Sequence, residues 1–108
     1  MTKQPLSEQP VYRATPASAS LLVEEWEHTY SVYQRASGET HVFNDVTAAF
    51  LDCVCEAPGS LESVVARVAL ALGIAGDAVD TDYFRDVVAR LEELGLIERT
   101  NPAGSVAP

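Results

Sequence analysis

The pattern of apolar and polar positions changes once along the chain. From Leu21 to Phe43 short runs rich in Val, Tyr, Thr and Phe dominate, and from Val46 onward apolar residues return every three or four positions. The first pattern is that of strands and the second that of helices. Leu21-Leu22-Val23-Glu24-Glu25-Trp26 predicts a strand centred on Val23, with Trp26 large enough to anchor an edge of the core. His28 to Gln34 predicts a second strand, with Tyr30, Val32 and Gln34 on one face and Thr29, Ser31 and Tyr33 on the other. Arg35-Ala36-Ser37-Gly38-Glu39 supplies a hairpin loop in which Gly38 takes positive φ, and Thr40 to Phe43 returns as a third strand.

Asn44 and Asp45 then offer side-chain oxygens to cap a helix over about Asp45 to Glu56, which Pro58-Gly59 cannot continue. Ser60 caps a second helix. Its apolar positions Leu61, Val64, Val65, Val68, Ala69 and Leu72 form the cleanest amphipathic stripe in the chain, and Gly73 ends it. After a Gly/Ala/Asp-rich linker from Ile74 to Val79, Asp80 or Thr81 caps a third helix. Tyr83, Phe84, Val87, Val88, Leu91 and Leu94 supply its buried side and Gly95 its left-handed stop. Tyr83 and Phe84 are adjacent and cannot both face inward. Leu96-Ile97-Glu98-Arg99 is apolar enough to dock as an extended piece, and Val11-Tyr12-Arg13 is an isolated apolar fragment able to lay a short extended piece against the domain. Runs of strands followed by runs of helices predict an α+β fold: a three-stranded antiparallel sheet followed by a three-helix bundle, with winged-helix proportions in the last two helices.

Composition divides the chain into three parts. Residues 1–19 and 100–108 are rich in Pro, Ser, Ala and Thr and predict a flexible N-terminal extension and a disordered C-terminal tail, which leaves 20–99 as one small domain. About eighty residues bury only roughly 60% of their unfolded surface, so a site here is shallow and ill suited to excluding water from a reaction. The net charge of −9, with seven dispersed basic residues, argues against nucleic acid and against an anionic membrane surface. Apolar segments too short to span a bilayer, and an N-terminus without a signal pattern, predict a cytoplasmic protein.

Candidate chemistry is sparse, and no catalytic residue and no cofactor is predicted. His41 is either a contact residue or a plain surface histidine of a half-exposed strand. Cys53 and Cys55 lie one residue apart on a predicted helix, too divergent for a disulfide, and with two distant histidines they lack zinc spacing, which predicts buried inert thiols and no metal. Asp45, Asp52 and Glu56 are explained by capping and a solvated face. Ser37 and Ser60 lack a base, and Gly38 stands outside any phosphate loop. What the central stretch offers is backbone, a short strand whose free edge can pair with another chain.

Gly38-Glu39-Thr40-His41-Val42-Phe43-Asn44, the helix through Val46-Thr47-Ala48-Ala49-Phe50-Leu51, the Pro-Gly-Ser break and the closing Leu91-Glu92-Glu93-Leu94-Gly95-Leu96-Ile97-Glu98 together resemble the PqqD-like peptide chaperones. These are recognition elements for leader peptides of ribosomally made, modified peptides. The Gly-x-Thr-His-x-x-Asn spacing resembles the branch found beside kinase-like proteins related to HPr kinase, the HPr-rel-A type. The resemblance covers about residues 20–99 and rests on apolar and turn positions; the long N-terminal extension departs from it. It implies a non-catalytic chaperone that binds a leader as an added strand and delivers it to a modifying enzyme, for which an HPr kinase-like protein is one candidate. It places the peptide along Thr40, His41, Val42, Phe43 and Asn44 and against Phe84, Val87, Val88 and Leu91, with Arg85 available to an acidic guest residue.

Two other classes stay open. A winged-helix DNA-binding regulator would read with the third helix, but Asp82, Asp86, Glu92 and Glu93 outnumber Arg85 and Arg90 there, which phosphates would repel. A scaffold subunit of a larger enzyme complex would bind protein and no peptide. The peptide reading requires an uncovered edge at Thr40 to Asn44, and full pairing of that edge by Leu96–Arg99 or by the Val11 segment would weaken it. A monomer or an edge-paired dimer fits it equally.

Overall fold

The computed structural model describes residues 10–75 and 78–100. The elements run β1 (Val11–Ala14), a 3-10 turn (Pro16–Ser20), β2 (Leu21–Trp26), β3 (Thr29–Gln34), β4 (Glu39–Asn44), α1 (Asp45–Glu56), α2 (Leu61–Leu72), α3 (Thr81–Glu93) and β5 (Ile97–Thr100). The chain is therefore α+β, with a three-stranded antiparallel meander in the order β2-β3-β4 and three helices after it. The expected tails at residues 1–9 and 101–108 lie outside the described residues.

Local chemistry sets the boundaries. Asn44 Oδ1 accepts from the Thr47 N–H at 2.9 Å and starts α1 directly at the end of β4. Ser60 and Asp80 cap α2 and α3 through their own side-chain oxygens. Each such cap is worth about 1 kcal/mol. The turn between β3 and β4 uses Gly38 at φ 74°, open to the left-handed region without a Cβ clash. The turn between β2 and β3 is only Glu27-His28, and Glu27 adopts φ 58° with a full side chain, a strained choice that no Gly or Asn announced in the sequence.

One sequence expectation changes at the N-terminal end of the domain, and Val11-Tyr12-Arg13 does lie against it as an extended piece. β1 pairs antiparallel with β5 through Val11–Thr100, Tyr12–Arg99, Arg13–Glu98 and Ala14–Ile97, and Tyr12 exchanges both backbone hydrogen bonds with Gly59 in the α1–α2 connection. Tyr12 is buried, Arg13 Nε meets Glu98 Oε2 at 2.7 Å, and Thr15 bonds Leu96 and Gly95 carbonyls. Residues 11–19 thus belong to the domain, as does Thr100, and the flexible extension expected over 1–19 is corrected to that extent. Pro16 and the small residues around it gave a tail-like composition to a segment held by long-range pairing.

The core lies between the meander and the helices. Val32 and Phe43 from the sheet meet Phe50, Leu51 and Val54 of α1, Phe84, Val88 and Leu91 of α3, and Leu96. The Phe50 and Phe84 rings are tilted at 36° with centroids 6.1 Å apart. Trp26 anchors nothing: it is 74% exposed, because β2 overhangs the helical layer and every residue from Leu22 to Trp26 is exposed. Among the described residues no helix is long and apolar enough to cross a membrane.

Candidate functional site

β4 has β3 on one side and, among the described residues, no strand on the other. The two segments whose pairing there would have closed the edge, Val11–Ala14 and Ile97–Thr100, pair with each other instead. Strand alternation then sorts the residues. His41 and Phe43 point into the core, while Thr40, Val42 and Asn44 point outward, with Val42 63% exposed.

Side chains tie the two ends of α3 near the two ends of β4, so that helix and strand run in opposite senses. At the far end of β4, Asn44 Nδ2 donates to the Tyr83 hydroxyl at 2.8 Å. At its near end Gln34, paired with Glu39, reaches the Leu94 carbonyl through Nε2 at 3.5 Å. Six strand residues and the helix from Tyr83 to Leu94 each cover about 17 Å, so the two tie points match in length.

The expected residues separate into two groups. Thr40, Val42 and Asn44 are exposed along the edge. Phe84, Val87, Val88 and Leu91 are buried in the core and reach a guest only if the packing opens. Arg85 is exposed, pairs with Asp82 at 3.5 Å, and lines a cleft of about 570 Å³ between α2 and the start of α3, with Leu61, Glu62, Val65 and Ile74 among its walls. The structure therefore does not gather the expected strand and helix side chains into one open groove. Tyr83 and Gln34 are the residues missing from the sequence expectation. The rule that Tyr83 and Phe84 cannot both face inward left open which of the two is exposed, and nothing in the pattern paired Tyr83 with Asn44.

His41 is not a surface residue. It is 8% exposed, its Nε2 lies 2.9 Å from Gln34 Oε1, and its ring stacks on Phe43 at an interplanar angle of 7°. Gln34 thus links the buried histidine to the end of α3. Its burial follows from the same alternation that buries Phe43, two residues on.

The remaining polar groups have structural partners. Cys53 is buried as expected, and burial pushes its thiol up, with Arg67 pulling the other way. Cys55, expected to be buried, is exposed, because two residues of helix, about 200°, turn it to the opposite side. Arg67 donates to the Cys53 carbonyl at 3.0 Å and the Ala57 carbonyl at 2.9 Å, closing the C-terminal end of α1. Partial burial, then the neighbouring Glu56, raises the Asp52 carboxyl. Partial burial also raises the Tyr30 phenol, reinforced by Glu25, Asp45 and Asp52. Among the described residues no cluster of three His, Cys, Asp or Glu is placed to hold a metal ion. What the edge offers is main-chain hydrogen bonding flanked by a valine and two polar side chains. No family model, no curated protein and no solved structure matches the chain.

Proposed function

We propose that this chain is a non-catalytic peptide-binding module of PqqD-like, winged-helix-like fold, which takes up the leader of a ribosomally made precursor peptide as an added strand on β4 and delivers it to a modifying enzyme in the cytoplasm. The observation that carries this reading is the outer edge of β4, which among the described residues no strand covers, β5 being paired with β1. Strand addition supplies sequence-tolerant main-chain bonds, and side chains at alternate guest positions meet Val42 on one face and the α3 side on the other. An HPr kinase-like protein is a candidate for the enzyme served.

Charge separates this reading from a DNA-binding one. The exposed side of α3 carries Asp82, Asp86 and Glu93 against Arg85 and Arg90, an unfavourable surface for phosphates.

The test is a pull-down from native cell extract with the tagged full chain beside its Val42→Pro variant, followed by mass spectrometry of short peptides and large proteins. A ribosomal peptide retained by the parent chain and absent from the folded variant is the expected result. A large protein recovered equally by both, without peptide, would replace this reading by a scaffold role, and salt-sensitive DNA would replace it by a regulatory one.

A further inference from the structure

The opposite edge of the sheet carries a second feature that the peptide reading leaves unused. β2 is also an edge strand, bounded by β3 on one side only among the described residues. Its register with β3 places Leu22 beside Tyr33 and Trp26 beside Thr29 on the face turned away from the core, and Val23 beside Val32 on the core-facing side. Val32 is buried, yet Val23 is 58% exposed, so beyond Leu21 the helical layer stops short of β2 and leaves both of its faces in water. Leu22, Val23 and Trp26 are therefore uncovered together on one short strand.

Glu24 and Glu25 lie between them and Glu27 follows, and from residue 14 to residue 34 the chain has no Lys or Arg. Natural edge strands are commonly guarded by lysine or proline. This one is guarded by acid alone, which repels acidic chains and admits basic ones. A second copy is a poor occupant, because β2-to-β2 pairing would bring the glutamates of both copies into one joint between molecules already carrying −9 each.

We infer that β2 is a docking edge for a basic, extended segment of another protein, one that alternates apolar residues with Lys or Arg. Its apolar side chains lie on the core-facing side over Val23, and its cations lie on the other face beside Glu24 and toward the turn at Glu27, where one of them stacks on the Trp26 indole. β2 and β4 are separated by the width of β3, about 10 Å, so this partner and a guest on β4 occupy different edges of one sheet. The inference does not depend on what β4 binds.

Trp26 is the only tryptophan in the chain and reports on the site directly. The experiment titrates the full chain with a short peptide of alternating Lys and Val, and separately with its Glu/Val counterpart, while following tryptophan emission. The expected result is a saturable blue shift with the Lys/Val peptide alone, weakened about tenfold in the Glu24→Gln/Glu27→Gln variant and by added salt, and unchanged in Val42→Pro. Both glutamates are exposed, so the double variant keeps its packing. Absence of a shift in the parent chain, an equal shift with the acidic peptide, or loss of the shift in a Val42→Pro chain that keeps its far-UV circular dichroism would each overturn the proposal. A shift that follows protein concentration without peptide would assign the edge to a second copy instead.

Discussion

The Asn44 side-chain amide donates to the Tyr83 hydroxyl at 2.8 Å, tying the last residue of β4 to the first turn of α3 across 39 positions of sequence. The same side chain caps α1 through its oxygen, so one residue fixes strand end, helix start and neighbouring helix. The two roles are separable. Asn44→Ala loses both and should cost about 1 kcal/mol, most of it the cap. Tyr83→Phe loses only an exposed bond and should cost about 0.5 kcal/mol. Urea unfolding of both variants checks the order. Equal losses would mean that the bridge, not the cap, carries Asn44's contribution.

Val42 decides whether the β4 edge is functional. Proline there removes one backbone donor from an edge strand, which a sheet tolerates when that donor faces outward. Val42→Pro should therefore keep its far-UV circular dichroism and lose strand-type peptide binding. Val32→Pro, in the central strand with a buried side chain, should unfold the domain. If Val42→Pro unfolds as readily as Val32→Pro, its N–H pairs with β3 and the free donors lie at the neighbouring residues.

Much of this fold was legible in local pattern, and what was missed is long-range. The meander, the three helices, their caps at Ser60 and Asp80 and the stop at Gly95 follow from period, turn residues and side-chain oxygens within a few positions. The β1–β5 pair was hidden because its strands are four residues each and 86 positions separate Val11 from Ile97, so no local period announces their partnership. Trp26 was misplaced because hydrophobicity alone says that a residue prefers burial, not that the helical layer extends far enough to cover it. At the site, alternation along Thr40 to Asn44 separated exposed from buried residues, whereas Arg85 was grouped with an edge from which the fold turns it toward α2. The Gln34–His41 link was equally out of reach, since it depends on hairpin register bringing two polar side chains together on the buried face.

Arg67 predicts a stability effect away from the edge. Its guanidinium bridges the carbonyls of Cys53 and Ala57 at the negative end of α1, where Asp52 and Glu56 add like charge. Arg67→Ala should cost about 1–3 kcal/mol by loss of two charge-assisted bonds. Arg67→Lys should recover only part, because one ammonium cannot span both carbonyls in a fixed fork. Chemical denaturation of the two variants measures this. Full recovery by lysine would reduce Arg67's role to that of a point charge.

Asp52 predicts a pH effect of unusual sign for a carboxylate. Partial burial and Glu56 four residues on raise its folded-state pKa above the unfolded value of 3.8, so the native chain holds this proton more tightly than the unfolded one. Stability from this group is then greatest below pH 3.8 and falls as the pH rises through the folded value, opposite to a salt-bridged aspartate. Because Asp52 is substantially exposed, solvent screening keeps the effect small, on the scale of a like-charge pair at i, i+4, about 0.2–0.5 kcal/mol. Asp52→Asn should therefore raise the melting temperature slightly at pH 7, and the gain should vanish at pH 3, below the unfolded value, where Asp52 itself holds its proton. The comparison is made as the difference between variant and parent at each pH, which removes the contribution of the other carboxylates. A variant less stable than the parent at pH 7 would show that the Asp52 carboxylate has a favourable partner in solution that outweighs Glu56, and the sign of the slope would reverse with it.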